Sequence, residues 1–113
     1  MKSTITVEVS LDKDKVPDKI LWTATDSTAD MMQKAKATML AFWDGEDKSA
    51  LRIDLWTNEM MVDEMADFYY QTMMGMADTF DRATRLHPLV DDMKAFAKEF
   101  LKKFKATQIK ENS

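Results

Sequence analysis

The hydrophobic pattern of this chain changes period once, close to Thr57, and that change limits the folds open to it. Ahead of it, apolar and polar side chains alternate, which is the period of a half-buried strand. Ile5, Val7, Val9 and Leu11 fall on one face, opposed by Thr4, Thr6, Glu8 and Ser10. Beyond it, Val62, Met65, Ala66, Tyr69, Met73, Met76, Ala77 and Phe80 follow steps of three and four. That spacing draws one apolar stripe along a helix.

The alternating half divides at its turn residues. Asp12–Asp18, polar and broken by Pro17, separates the first strand from a second over Lys19–Thr25, which sets Ile20, Trp22 and Ala24 on one face. Asp26–Gln33 is a polar connection with room for a short helical turn. Lys34–Trp43 has the alanine content of a helix, but Asp44-Gly45 follows it and a further alternating run, Ala50–Trp56, comes next. An Asp-Gly pair between two apolar runs is a hairpin signal in which glycine takes positive φ, so both runs are assigned as strands. In the second half, Asp63, Glu64 and Asp67 open a long helix and Arg82 and Arg85 close it, matching its dipole. A second helix opens at Pro88 with the stripe Leu89, Val90, Met93, Phe96, Ala97, Phe100, Leu101 and Phe104.

The expected fold is therefore α+β: a four-stranded antiparallel sheet of two hairpins, with two C-terminal helices packed on one face. The 113 residues suit a single domain, with the sheet in 1–57, the helix pair in 58–106 and a frayed tail in 107–113. A net charge of −4 argues against a nucleic-acid binder, and the absence of cysteine removes disulfides and thiolate chemistry. No run approaches the roughly 18 apolar residues that span a bilayer, and Met1–Thr6 lacks the apolar stretch of a secretion signal, so the expectation is a cytoplasmic protein.

Residues that suggest catalysis are few. His87, the sole histidine, has the pKa range of a general base but no nucleophile near it in sequence, and a surface histidine explains it as well. Asp63, Glu64 and Asp67 offer too few oxygen ligands for a hard cation and equally describe a helix N-terminus. With only Gly45 and Gly75 there is no phosphate loop. No cofactor, metal or catalytic residue is assigned, and the chain reads as a non-enzyme.

A binding surface is the better supported reading. Trp56 is out of phase with Leu51, Ile53 and Leu55 and shares parity with Arg52 and Asp54, as an interface anchor would; alternatively it ends its strand and tucks under a helix. If Leu21, Leu40, Phe42 and Trp56 share the open side of the sheet, a second copy or a partner protein should cover it. Met60, Met61 and Met74, with Met31 and Met32, extend the candidate surface, since methionine suits adaptable contacts. The lysines at 102, 103, 105 and 110 read as a solvated helix end, or as a peripheral contact with an acidic membrane or partner.

The segments Leu51–Thr57, Val62–Met65, Tyr70–Thr72 and Met76–Phe80, with Val16-Pro17, Trp22–Asp26 and Ala35–Ala37 before them, resemble the gliding-motility protein GldC family of the Bacteroidetes. The resemblance runs from Lys2 to Thr84. It implies a small soluble accessory protein supporting gliding and its linked secretion machinery, with no catalytic residues to carry over. Met61 stands where related sequences often have proline, which leaves the helix start less defined. Two alternatives stay open: a chaperone-like module holding unfolded or exported chains on an apolar sheet face, and a small-ligand carrier with Tyr69 or Tyr70 as polar handle.

Overall fold

The structure, a computed structural model, describes residues 1–25 and 31–111. The strands are β1 (Ile5–Leu11), β2 (Pro17–Ala24), β3 (Gln33–Ala35), β4 (Ala37–Asp44) and β5 (Ser49–Trp56), and the helices are α1 (Val62–Thr84) and α2 (His87–Glu111). The chain divides after Met60 into a strand unit and a helix unit. The α+β order holds, but in place of one four-stranded sheet the described residues form five strands in two antiparallel sheets, ordered β1-β2-β3 and β4-β5. Of the connection expected over Asp26–Gln33, residues 26–30 lie outside the described residues, and Gln33 already belongs to β3.

The difference originates at one residue. The Lys34–Trp43 stretch is extended, as the hairpin signal indicates, yet it breaks at Lys36. Ahead of the break Ala35 pairs with Ile20, and beyond it Ala37 pairs with Trp56. Thr57 holds the break in place: its backbone N–H (2.8 Å) and its Oγ1 (3.0 Å) both donate to the Lys36 carbonyl. Thr57 is the buried polar residue of the strand unit, and these bonds satisfy its donors. In the first sheet Val9 faces Ile20 and Val7 faces Trp22, so the apolar parity of both strands meets on one face, with Ile20 fully buried.

Both hairpin turns use an aspartate and a left-handed lysine. Asp12 Oδ1 accepts the N–H of Asp14 (2.8 Å) and of Val16 (3.0 Å), and Lys15 sits at φ 63°. Asp44 Oδ1 accepts the N–H of Glu46 (2.9 Å) and Asp47 (3.2 Å), and Lys48 at φ 53° donates its N–H to the Asp44 carbonyl. The expectation of a positive φ at Gly45 is corrected: no glycine has one, because the longer loop moves the left-handed position to its last residue.

In the helix unit, two residues join α1 to α2, which makes the helices antiparallel neighbours. Arg85, left-handed at φ 59°, ends α1 with its N–H on the Asp81 carbonyl. Ala66 and Ala77 of α1 and Val90 and Ala97 of α2 are buried at helical spacing, and their small side chains let the backbones approach. Across the pair, Lys94 Nζ meets Asp78 Oδ1 at 2.8 Å and His87 Nδ1 meets Asp81 Oδ1 at 2.7 Å. At the other end Met61 is the extended N-cap, and the Glu64 carboxylate accepts its N–H at 3.2 Å, so the start is well defined without proline. The second helix also continues through Thr107 to Glu111, beyond the point where the polar tail was expected to fray.

Two outcomes follow from the helix unit. Gly75 lies inside α1 and a Cβ there meets nothing within 4 Å. Gly75→Ala should therefore raise stability by about 0.5–1 kcal/mol in urea unfolding. The hydrogen bond and charge of Lys94 hold the Asp78 carboxyl below its ordinary value of 3.8, and Asp78 in turn raises Lys94 above 10.5. The pair thus stabilises fully between those ordinary values, and its contribution is lost as pH falls through the lowered Asp78 value or rises through the raised Lys94 value. The melting-temperature gap between wild type and Lys94→Met should be widest near neutrality and close in strong acid.

Candidate interaction surface

The register of β4 against β5 decides which candidate side chains share a face. Leu40 lies opposite Ile53, Phe42 opposite Leu51 and Thr38 opposite Leu55. Directly opposed residues project from the same side of a sheet, so Leu40, Phe42, Leu51, Ile53 and Leu55 form one apolar face. The other face holds Ala37 opposite Trp56, Met39 opposite Asp54, Ala41 opposite Arg52 and Trp43 opposite Ala50. The expected grouping of Leu40 and Phe42 with Arg52, Asp54 and Trp56 is therefore corrected. They occupy opposite sides of one ribbon.

Each face remains accessible. Phe42, Leu51 and Ile53 are 59, 56 and 51% exposed, while Leu40 and Leu55 are half-buried. Fully burying a side chain of this size is worth roughly 1.5–3 kcal/mol, so covering these three half-exposed residues would yield on the order of 3 kcal/mol. On the opposite face Trp43 and Trp56 are 69 and 57% exposed. Between them Arg52 Nε and Nη2 donate to the two carboxylate oxygens of Asp54 at 3.1 and 2.9 Å. That fork holds the two side chains together on this face, although so exposed a pair contributes only about 0.2–1 kcal/mol to stability. Trp56 takes the exposed position beside Arg52 and Asp54, one of the two readings its parity allows.

The methionine candidates are dispersed. Met60 is half-buried, with its N–H on the Thr57 carbonyl; Met61 is exposed at the start of α1, and Met74 is half-buried within it. Met60 belongs to the strand unit, and Met61 and Met74 to the helix unit. Sequence parity missed a different set: Met73, Met76, Met93 and Phe96, with Asp92, line a hollow of about 380 Å³ between α1 and α2. Their membership in the apolar stripes was the available signal, but it suggested burial, whereas Met76 and Phe96 are exposed.

His87 is not isolated, since its Nδ1 lies 2.7 Å from Asp81 Oδ1. Asp63 and Glu64 serve the helix start, where Asp63 Oδ1 accepts the Glu64 N–H at 2.9 Å. Among the described residues no group of three or more histidine, aspartate or glutamate side chains is arranged to hold a metal ion, and no helix is long and apolar enough to cross a membrane.

Fold and surface together define a small α+β protein with an open strand ribbon, apolar on one face and aromatic on the other. The chain belongs to the GldC-like family: residues 17–106 match the family described as gliding motility-associated protein GldC-like. The match takes in most of α2, which the sequence resemblance, ending at Thr84, does not reach. No curated protein and no solved structure shows significant similarity to the chain.

The exposure of the tryptophans is directly testable. Acrylamide should quench Trp43 and Trp56 strongly, while a Trp43→Phe/Trp56→Phe variant, retaining only half-buried Trp22, should show blue-shifted and weakly quenched emission.

Proposed function

We propose that this protein is a non-enzymatic accessory protein of gliding motility and the secretion machinery linked to it, working in the cytoplasm by contact with other proteins. The observation that carries the proposal is the face formed by Leu40, Phe42, Leu51, Ile53 and Leu55. A two-stranded ribbon is marginal alone in water, and one that also displays a contiguous apolar face gains stability and function together when a partner covers it. Membership of the GldC-like family supports the biological setting. Trp43, Trp56 and the Arg52–Asp54 fork give the reverse side polar and aromatic contacts that favour one specific partner. Nucleic acid is not a partner in this reading, and any membrane contact is peripheral. A second copy of the chain is the competing occupant of the apolar face.

The chaperone reading uses the same face but requires many clients, and the carrier reading requires a small ligand instead. A photo-crosslinking side chain at Phe42 in cells of a gliding bacterium separates them. The adaptor reading expects one or two discrete adducts identified as gliding or secretion components, with none from the same probe at Glu8. A smear of unrelated adducts would favour a chaperone, a self-adduct a homo-oligomer, and no protein adduct a carrier. Phe42→Ser/Ile53→Ser should weaken partner capture by about tenfold or more, equal to about 1.4 kcal/mol or above.

A further inference from the structure

A second surface, on the helix unit, has chemistry opposite to that of the chain as a whole. Lys98, Lys102 and Lys105 recur at steps of four and three along α2 and so share one side of it. With Tyr70 of α1 and Leu101 of α2 they line a hollow of about 310 Å³. Elsewhere in the helix pair Lys94 meets Asp78 and Lys103 meets Glu99. Among the described residues no carboxylate oxygen lies within 4.0 Å of Lys98, Lys102 or Lys105. The chain carries 20 acidic and 16 basic residues, so three neighbouring cations without partners are a local reversal of its sign. Like charges three and four residues apart also disfavour the helix that holds them, and an anion would relieve that repulsion.

We propose that this hollow binds an acidic peptide segment of a partner protein, with carboxylates on the three lysines and an apolar side chain over Tyr70 and Leu101. The dimensions suit this occupant. Lys105 lies seven positions after Lys98, a rise of about 10 Å, which matches about three residues of extended peptide. Lysine ammonium groups are point charges on flexible stems and accept carboxylates without a fixed fork geometry. The half-buried Tyr70 and Leu101 supply a floor that a purely ionic contact would not use. The net charge of −4 opposes a long polyanion or an anionic bilayer, both of which extend far beyond the patch. This site stands independently of the β4–β5 ribbon and adds a second contact of opposite character.

The test is an NMR titration of the ¹⁵N-labelled full chain with an acetylated, amidated Glu-Leu-Asp-Leu-Glu peptide. Amide shifts are expected at Tyr70 and along Lys98–Lys105, with affinity falling as salt rises. Lys98→Glu/Lys102→Glu should weaken binding about tenfold or more with an unchanged circular dichroism spectrum, and Lys98→Gln/Lys102→Gln should weaken it in the same direction. The proposal is overturned if the Gln-Leu-Asn-Leu-Gln peptide binds equally well, if the shifts map elsewhere, or if neither lysine variant changes the affinity. It is also overturned if phosphatidylglycerol vesicles, oligothymidylate or inorganic phosphate occupy the site in preference to the acidic peptide. The Phe42→Ser/Ile53→Ser variant should bind the peptide as wild type does, so failure of the ribbon reading leaves this result unaffected.

Discussion

The two hydrogen bonds from Thr57 to the Lys36 carbonyl organise the strand unit. They tie the residue that follows β5 to the single residue separating β3 from β4. Both donors come from one buried threonine, so the carbonyl at the break is met from the residue beyond the β4–β5 ladder. The long extended run thereby serves both sheets in succession, pairing with β2 and then with β5. The ribbon that displays Leu40, Phe42, Leu51, Ile53 and Leu55 is a product of that division: among the described residues no third strand joins it, and Phe42, Leu51 and Ile53 stay exposed.

Much of this architecture is visible in the residue pattern. Alternation locates the strands to within a residue or two, and the steps of three and four locate α1 and α2, because burial on one side imposes those periods. The break at Lys36 leaves no such trace. A single lysine inside a run of alternating residues carries no glycine, proline or change of parity. Gly45 is the opposite case, a strong local signal that loop length overrides, with Lys48 taking the left-handed position. The candidate surface shows where parity stops. Within each strand it separates Phe42 from Trp43 and Leu51 from Arg52, but only the register tells which half of one strand joins which half of the other.

The helix unit illustrates a second limit. Stripes such as Tyr69, Met73 and Met76 in α1 or Leu89, Met93 and Phe96 in α2 identify an apolar arc without saying how much of it the helix pair itself covers. The buried positions are few and small, Ala66, Ala77, Val90 and Ala97, and the large side chains flank them. The lysines at 102 and 105 read from sequence as part of a solvated helix end; the structure adds Lys98 from the preceding turn and Tyr70 from the neighbouring helix, turning a row of charges into a concave site.

The hollow lined by Met73, Met76 and Met93 carries a chemical consequence of its own. With no cysteine in the chain, its eleven methionines hold all of the protein's sulfur. Thioethers at an accessible helix surface are open to peroxide, and each sulfoxide formed replaces a soft apolar wall with a polar, stereogenic one. Oxidative stress would thus alter the character of this groove side chain by side chain, and methionine sulfoxide reductases, not thiol exchange, would restore it.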